Sequence, residues 1–157
     1  MNGDYWCLML LTGTFRRSID EKHRIAIPKR FRDGLASSSS QPSIFYLAPG
    51  TDGSLALYTE ESFSHLADQL SQASPTGHDV RAFSRLFYSR ALSVELDRQG
   101  RIRIPPDLVT LAGLEREVAL VGVRDHLEVW DVTRWEKYIA EKQLEYDRLA
   151  ESALAKS

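Results

Sequence analysis

The sequence predicts an α+β fold, mainly β with short helices, built from two tandem copies of a hairpin-and-helix unit. Residues 19–28, IDEKHRIAIP, return 77 positions later as residues 96–105, LDRQGRIRIP. Alternating apolar residues around both stretches are typical of half-buried strands. Because 157 residues would give two separate domains only small cores, we expect the copies to share one barrel-like core about a pseudo-twofold axis.

Each copy is expected to open with two short strands around a tight turn, which makes a β-hairpin. Apolar alternation marks the first strand, although Arg17 interrupts it in the first copy. The turns are predicted at residues 21–23 and 98–100. In the second strands the isoleucines are predicted to face inward; these are Ile25, Ile27, Ile102 and Ile104.

Each copy continues with a short helix, two strands and a closing helix. Pro28 and Pro105 suit a first helical turn, and Gly34 and Gly113 are the predicted stops. Further strands are predicted at residues 44–48, 54–59, 118–121 and 126–131. Their offset falls to 72, and we attribute the extra residues of the first copy mainly to a solvated serine loop at 37–40.

The closing helices help to define the boundaries of the repeats. The first is predicted around residues 63–70, and the second over residues 135–149 after a capping box from Thr133 to Glu136. Residues 74–77, SPTG, separate the copies. We therefore divide the chain into an N-terminal extension (1–11), a first repeat (12–73) and a second repeat with a C-terminal helix (81–151).

The net charge of −2 conceals two basic segments that coincide with the repeated motif. Residues 11–35 carry seven Arg or Lys against three acidic residues, and residues 81–103 carry six arginines against two, so each segment has a net charge of +4. The remaining chain sums to −10. A basic face on an acidic body allows a protein with an isoelectric point near 6.1 to bind a polyanion.

The composition points away from several other classes of protein. The only cysteine, Cys7, cannot form an internal disulfide, and the four scattered histidines do not form a metal-ligand cluster. Residues 5–11 are apolar but too short to span a bilayer. We read no catalytic triad and no phosphate loop, so we expect no enzyme, no cofactor, no metal, no membrane association and no small-molecule substrate.

Both copies keep an aspartate and, four positions on, an arginine at the turn. In one interpretation the aspartate accepts from N–H groups of the turn and the arginine only pairs with it, as a surface ion pair worth about 0 to 1 kcal/mol. In the other, Asp20 and Asp97 shape the turns while Arg24 and Arg101 point outward as forked donors to phosphate or guanine. Strand alternation puts Arg103 on the same exposed side as Arg101.

These residues resemble the MraZ transcriptional regulators, members of the AbrB-like swapped-hairpin DNA-binding superfamily. The likeness covers Thr12 to about Leu149 and depends on the two motifs quoted above, followed by Ala-Gly-Leu at 112–114 and Leu-Glu-x-Trp at 127–130. It implies tandem AbrB/SpoVT-type units in a swapped-hairpin barrel. It also implies a ring-like homo-oligomer bound to double-stranded DNA at repeated sites upstream of its own division and cell-wall gene cluster, in the cytoplasm and nucleoid.

From the resemblance we expect Arg24 and Arg101 to make the main DNA contacts, and Asp20, Asp97 and Gly100 to shape the turns. Mostly phosphate-neutralising roles are expected for Lys22, Arg16, Arg98 and Arg103. Three features depart from the family pattern. His23 replaces the usual glycine where a left-handed conformation is needed, Val109 and Thr110 replace more polar residues, and residues 1–10 precede the usual start.

One competing function is an antitoxin-like, AbrB-type DNA-binding protein that neutralises a partner toxin. The predicted capped C-terminal helix argues against it, because such tails are usually disordered. The aromatic residues Trp130, Trp135 and Tyr138 are expected to form core or subunit contacts, and the alternative is a platform on which bases stack.

Overall fold

The computed structural model describes residues 10–35, 44–73 and 76–155. Its strands are β1 (Thr14–Ser18), β2 (Arg24–Ala26), β3 (Ile44–Pro49), β4 (Leu55–Thr59), β5 (Leu92–Glu95), β6 (Arg101–Arg103), β7 (Glu117–Val123) and β8 (His126–Asp131). Its helices are α1 (Lys29–Leu35), α2 (Glu60–Gln72), α3 (His78–Arg90), α4 (Pro106–Ala112), α5 (Val132–Gln143) and α6 (Tyr146–Leu154).

The fold mixes helices with a mostly antiparallel sheet, in agreement with the predicted class. Six strands form one sheet in the order β1-β7-β8-β4-β3-β5, and β2 pairs with β6 in a separate two-stranded ribbon. Each edge strand of the sheet pairs with a strand of the other repeat: β1 pairs with β7, and β5 pairs with β3. The ribbon and the central β4–β8 pair also join one repeat to the other.

The strand registers are symmetric with respect to exchange of the two repeats. In the ribbon, Ile25 lies opposite Ile102, its own equivalent at the offset of 77. In the central pair of the sheet, Ala56 lies opposite Glu128, its equivalent at the offset of 72. Each of these ladders therefore maps onto itself when the copies are exchanged.

One hydrophobic core is shared by the two repeats, as predicted. Residues of both copies belong to a single buried cluster; they include Ile25, Ile27, Phe31, Phe45, Leu57, Ile102, Ile104, Leu108, Leu120 and Leu127. The four predicted inward isoleucines are all at most 2% exposed. Because β2 and β6 contribute these side chains together, neither ribbon strand can be removed without opening the core of both repeats.

The predicted hairpins exist only at their turns. The Asp20 N–H donates to the carbonyl of Arg24 at 3.1 Å, and the Asp97 N–H donates to the carbonyl of Arg101 at 2.9 Å. Beyond these bonds the flanking strands separate, and each finds its ladder partner in the other repeat. The physical reason is burial, because the cross-repeat ribbon places isoleucines of both copies in the same core.

Some predicted helix ends are confirmed and others are wrong. Gly113 ends α4 in the left-handed conformation, with φ +60°, as predicted. Gly34 does not stop α1, which continues to Leu35. The predicted capping box at Thr133 is also wrong, because the side chain of Asp131 caps α5 by accepting from the Thr133 N–H at 3.2 Å.

Two helical features were not predicted. The closing helix is broken after Gln143, so that α5 and α6 are separate helices. Helix α3 begins at the boundary between the repeats and precedes the first strand of the second. It packs on the first repeat, where buried Phe87 stacks on Phe63 of α2 with ring centroids 5.9 Å apart.

The end of the N-terminal extension joins the sheet margin. Leu11 is 4% exposed and forms an isolated bridge with Arg124. Gly122 allows this close approach, because a Cβ there would lie 2.5 Å from the backbone nitrogen of Thr12. The serine loop at 37–40, the start of the boundary at 74–75 and residues 1–9 lie outside the described residues.

Candidate nucleic-acid interface

The Asp20 turn is built by one carboxylate that accepts three hydrogen bonds. Oδ1 accepts from the backbone N–H of Lys22 at 2.9 Å and of Arg24 at 2.8 Å. Oδ2 accepts from Nε of Arg24 at 2.7 Å. The aspartate thus fixes the shape of the turn and one edge of the guanidinium at the same time.

The Asp97 turn repeats this geometry. Oδ1 accepts from the backbone N–H of Gln99 at 2.8 Å and of Arg101 at 3.0 Å, and Oδ2 accepts from Nε of Arg101 at 2.8 Å. Corresponding distances in the two turns differ by at most 0.2 Å. The same local structure has therefore formed twice from sequences that share only the aspartate and the arginine in the turn itself.

These hydrogen bonds lower the pKa of both aspartates. The backbone N–H of Arg24 is the largest influence that lowers the pKa of Asp20 below its usual range, and the guanidinium of Arg24 adds to it. The backbone N–H of Arg101 does the same for the pKa of Asp97. Partial desolvation opposes both shifts without reversing them.

Both turns place the residue before the arginine in the left-handed region. This residue is Gly100 in the second turn, with φ +75°, and His23 in the first, with φ +60°. A glycine adopts this conformation without strain, whereas the Cβ of a histidine makes it unfavourable. The first turn thus has the same backbone shape as the second, but the left-handed conformation of His23 makes it less favourable.

The ribbon brings three of the predicted arginines together. Arg24 lies opposite Arg103, and Arg101 lies opposite Ala26, while Ile25 and Ile102 between them face the core. Since side chains alternate across a strand, the three arginines share the outward face of the ribbon. We call the positions Arg24, Ala26, Arg101 and Arg103 the ribbon face.

Pairing with the aspartates leaves most of each guanidinium available. Arg24 and Arg101 use only Nε in these pairs, and their side chains are 31% and 26% exposed. Their terminal nitrogens have no hydrogen-bond partner within the described part of the chain. The two interpretations of the turn are thus compatible, because the aspartate holds the arginine while its fork stays free for a ligand.

The remaining predicted residues are distributed differently. Lys22 and Arg98 are exposed within the turns, and Arg103 is exposed on the ribbon face. Arg16 is not brought together with them: it lies opposite Ala119 on the other face of the large sheet, where it pairs with Glu136 of α5. Arg17, which interrupted the alternation, lies over the ring of Phe15 at 5.7 Å.

One arginine in contact with a turn was missed by the sequence reasoning. Arg32, on α1 of the first repeat, lies against Gly100 in the turn of the second. The only signal in the sequence was indirect, since the position equivalent to Arg32 is Val109 and the position equivalent to Gly100 is His23.

The predicted aromatic residues form a separate cluster beneath α5. The ring centroids of Trp130 and Tyr138 lie 5.0 Å apart, and those of Trp130 and Trp135 lie 5.3 Å apart. They pack with Ala119 and Val121 on the sheet face opposite the main core. Their position is that of a satellite core away from the ribbon face.

Two kinds of feature are absent from the described residues. Within residues 10–35, 44–73 and 76–155, no group of three or more His, Cys, Asp or Glu side chains could hold a metal ion. Nor does any helix in the described part of the chain have the length and apolar character to cross a membrane.

Comparisons with known proteins agree with the motif. A family model described as "MraZ protein, putative antitoxin-like" matches the chain twice, over residues 10–86 and 87–156. A protein of Acetivibrio thermocellus named transcriptional regulator MraZ is 40% identical over 139 residues, which are 88% of this chain and 93% of that protein.

Relatives with the same name occur in other bacteria. The protein of Thermomicrobium roseum is 41% identical over 126 residues, covering 80% of this chain and 84% of its own length. That of Ligilactobacillus salivarius is 38% identical over 145 residues, covering 92% and 97%. By the two matches of the family model and by these relatives, the chain belongs to the MraZ family.

Proposed function

We propose that this protein is a transcriptional regulator that binds double-stranded DNA through the ribbon face and its two flanking turns. The observation that carries the proposal is the pair of matching turns, each holding an arginine by Nε on the ribbon face. The name shared by the relatives supports regulation of transcription as the role.

The electrostatics of the ribbon support an anionic ligand. Arg24 and Arg103 are directly opposed across the two strands, and like charges in that position destabilise a strand pair. A phosphate backbone would remove this repulsion. A two-stranded ribbon also fits the major groove of B-DNA, where a forked arginine can donate to both acceptors of guanine.

The residue roles in the proposal follow from these positions. Arg24 and Arg101 make the main DNA contacts, Lys22, Arg98 and Arg103 neutralise phosphates, and Asp20, Asp97 and Gly100 hold the turns. The contacts expected of Arg16 need a second DNA-facing surface, because its guanidinium pairs with Glu136 on the other side of the sheet.

The finer architecture and assembly are part of the same proposal. The cross-repeat ribbon supports a swapped-hairpin barrel within one chain, with repeats at 12–73 and 81–151. Exposed apolar side chains such as Phe83, Leu86 and Leu154 support self-association into a ring-like homo-oligomer. A ring would join many weak DNA sites and raise avidity at repeated operators. Light scattering that finds only monomer at micromolar concentration would contradict this part.

We place the operator upstream of the protein's own division and cell-wall gene cluster, and the protein in the cytoplasm at the nucleoid. The test is a fluorescence anisotropy titration with that upstream DNA and with random DNA, at two salt concentrations. Loss of a base contact in Arg24→Ala or Arg101→Ala should weaken specific binding by about 1 to 3 kcal/mol. We expect Arg101→Ala to weaken binding at least as much as Arg24→Ala.

Two further variants separate the kinds of contact. Loss of a phosphate contact in Arg103→Ala should weaken binding to all sequences and reduce the salt dependence by about 0.9 per contact. Lys137→Ala is the matched control, because Lys137 is an exposed cation of α5 away from the ribbon face. If Arg24→Ala and Arg101→Ala both bind DNA like the unmodified protein while folded and oligomeric, the arginines only pair with their aspartates and do not contact DNA.

The second candidate is an antitoxin-like DNA-binding protein that neutralises a partner toxin. The description of the matched family model favours it, whereas the two ordered helices over Val132–Gln143 and Tyr146–Leu154 do not. Both candidates bind DNA, so the neighbouring genes separate them: a division and cell-wall cluster supports the first, and an adjacent toxin gene supports the second.

A further inference from the structure

The turn of the second repeat is held from outside by the first repeat. A Cβ on Gly100 would lie 2.8 Å from Nη1 of Arg32, 2.9 Å from its Cζ and 3.0 Å from its Cδ. The carbonyl of Gly100 also accepts from the N–H of Ile27, at 2.9 Å. Arg32 of helix α1 and Ile27, which follows strand β2, therefore both contact the Asp97 turn at Gly100.

The hydrogen bonds of Arg32 do not account for its position. Its Nε is buried and has no hydrogen-bond partner among the described residues. A buried donor without a partner is unfavourable. The position of Arg32 instead brings it into contact with the turn, where its guanidinium fills the space that a side chain at position 100 would otherwise occupy.

At the equivalent positions of the other half, the large and the small residue are exchanged. At the offset of 77, His23 corresponds to Gly100, and Val109 corresponds to Arg32. The backbone is equivalent there, because the Ile104 N–H donates to the carbonyl of His23 at 2.9 Å. Where the helix residue is long, the turn residue has no side chain; where the turn residue has an imidazole, the helix residue is the short Val109.

We propose that Arg32 is a positioning residue for the Asp97 turn, matched to Gly100 as Val109 is matched to His23. This rests on the proposed DNA function, in that a correctly placed turn orients Arg101 toward DNA. It makes the two turns non-equivalent: the turn position can carry a side chain only where the equivalent helix residue of the other repeat is short. The two departures at His23 and Val109 are then one compensated change.

The test uses three variants of the full chain: Gly100→His, Arg32→Val, and the double variant with both changes. Gly100→His should weaken DNA binding about tenfold or more, because its Cβ would lie 2.8 Å from Nη1 of Arg32, so that the turn carrying Arg101 is pushed from its position. The double variant copies the His–Val combination of the first repeat, and its affinity should return to within about threefold of the unmodified protein.

Salt dependence separates positioning from direct phosphate contact. If Arg32 only positions the turn, the double variant should keep the salt dependence of the unmodified protein. If Arg32 instead neutralises a phosphate, the double variant should lose about 0.9 of the slope and should not be rescued, and the proposal is overturned. An equal loss of affinity in Gly100→His and the double variant would also overturn it.

A measurement without DNA keeps this inference separate from the proposed function. The N–H of Arg101 donates to Oδ1 of Asp97 at 3.0 Å, so its amide hydrogen exchange reports on the turn. Exchange at Arg101 should be about tenfold faster in Gly100→His and should recover in the double variant. If that pattern appears in a protein that does not bind DNA, the proposed function fails and the positioning role stands; if exchange is unchanged in Gly100→His, the positioning role fails.

Discussion

Replacing Ile102 by alanine should test the shared core at the centre of the ribbon. Ile102 is 1% exposed and lies opposite Ile25, which is fully buried. The change removes three buried carbons at about 0.8 kcal/mol each, and the cavity left behind should raise the total to about 3 to 4 kcal/mol. Urea unfolding at a fixed protein concentration, followed by tryptophan fluorescence, measures this loss. Val123→Ala, at a strand position 39% exposed, is the control and should cost less than about 1 kcal/mol.

The same experiment distinguishes one core from two. Because Ile25 and Ile102 lie directly opposite each other in the ribbon and belong to one buried cluster, their alanine variants should couple by about 0.5 to 3 kcal/mol in a double-mutant cycle. Each variant should still unfold in a single transition. A loss below about 1 kcal/mol for Ile102→Ala, or two separable transitions of which only one responds, would refute the shared core.

Three further variants test local features of the chain. His23→Gly should raise the free energy of unfolding by about 1 kcal/mol, because it relieves the left-handed strain at φ +60°; an unchanged or lower thermal midpoint would contradict this. Asp97→Asn should be less stable than the unmodified protein at pH 7. Because folding lowers the pKa of Asp97, its stabilising effect is present above the unfolded pKa near 3.9 and is lost as the pH falls through the folded pKa. The difference in thermal midpoint should therefore shrink below about pH 4, and a difference independent of pH would show that the charge is not involved. Thr59→Ala should cost about 1 kcal/mol, since the Thr59 hydroxyl accepts from the Ser62 N–H at 2.9 Å at the start of α2; equal urea midpoints would exclude that role.

The repeat made much of the fold predictable. The offset of 77 and the inward isoleucines predicted the two turns, the ribbon strands and the shared core, because burial in a strand requires strict alternation. What the repeat could not predict was strand pairing. The local sequence around Asp20 is typical of a hairpin. In the structure β1 pairs instead with β7, which is distant in sequence, and the local pattern does not predict this partner.

The helical features that were missed lacked the usual signals at helix ends. Helix α3 has no side-chain N-cap, although Val80, Phe83 and Phe87 follow helical spacing, and tertiary contacts of Phe87 fix it on the first repeat. At Thr59 a capping box does form, but with Ser62 in place of the usual Glu or Gln. The break after Gln143 contains neither glycine nor proline.

The candidate site was predictable in its residues but not in its arrangement. The repeat alone identified both aspartates and both arginines of the turns. The position of Arg24 opposite Arg103 could be predicted only with the strand register, and the contact of Arg32 with Gly100 only with the fold. The position of Arg16 depended on which face of β1 meets α5, which strand alternation leaves open until the sheet is assembled.

Chemical trapping on the ribbon face tests the DNA interface most directly. Ala26 lies on that face opposite Arg101, and its half-buried position can hold a small thiol. In a protein whose only cysteine, Cys7, is replaced by serine, Ala26→Cys should react by thiol–disulfide exchange with operator DNA that carries a mixed disulfide tethered to a base, forming a protein–DNA disulfide and releasing the small thiol. Ser152→Cys, exposed on α6, is the control and should not react beyond the level seen with random DNA. Trapping at position 26 that depends on the operator sequence supports the ribbon face as the interface, whereas trapping at position 152 without trapping at 26 would contradict it.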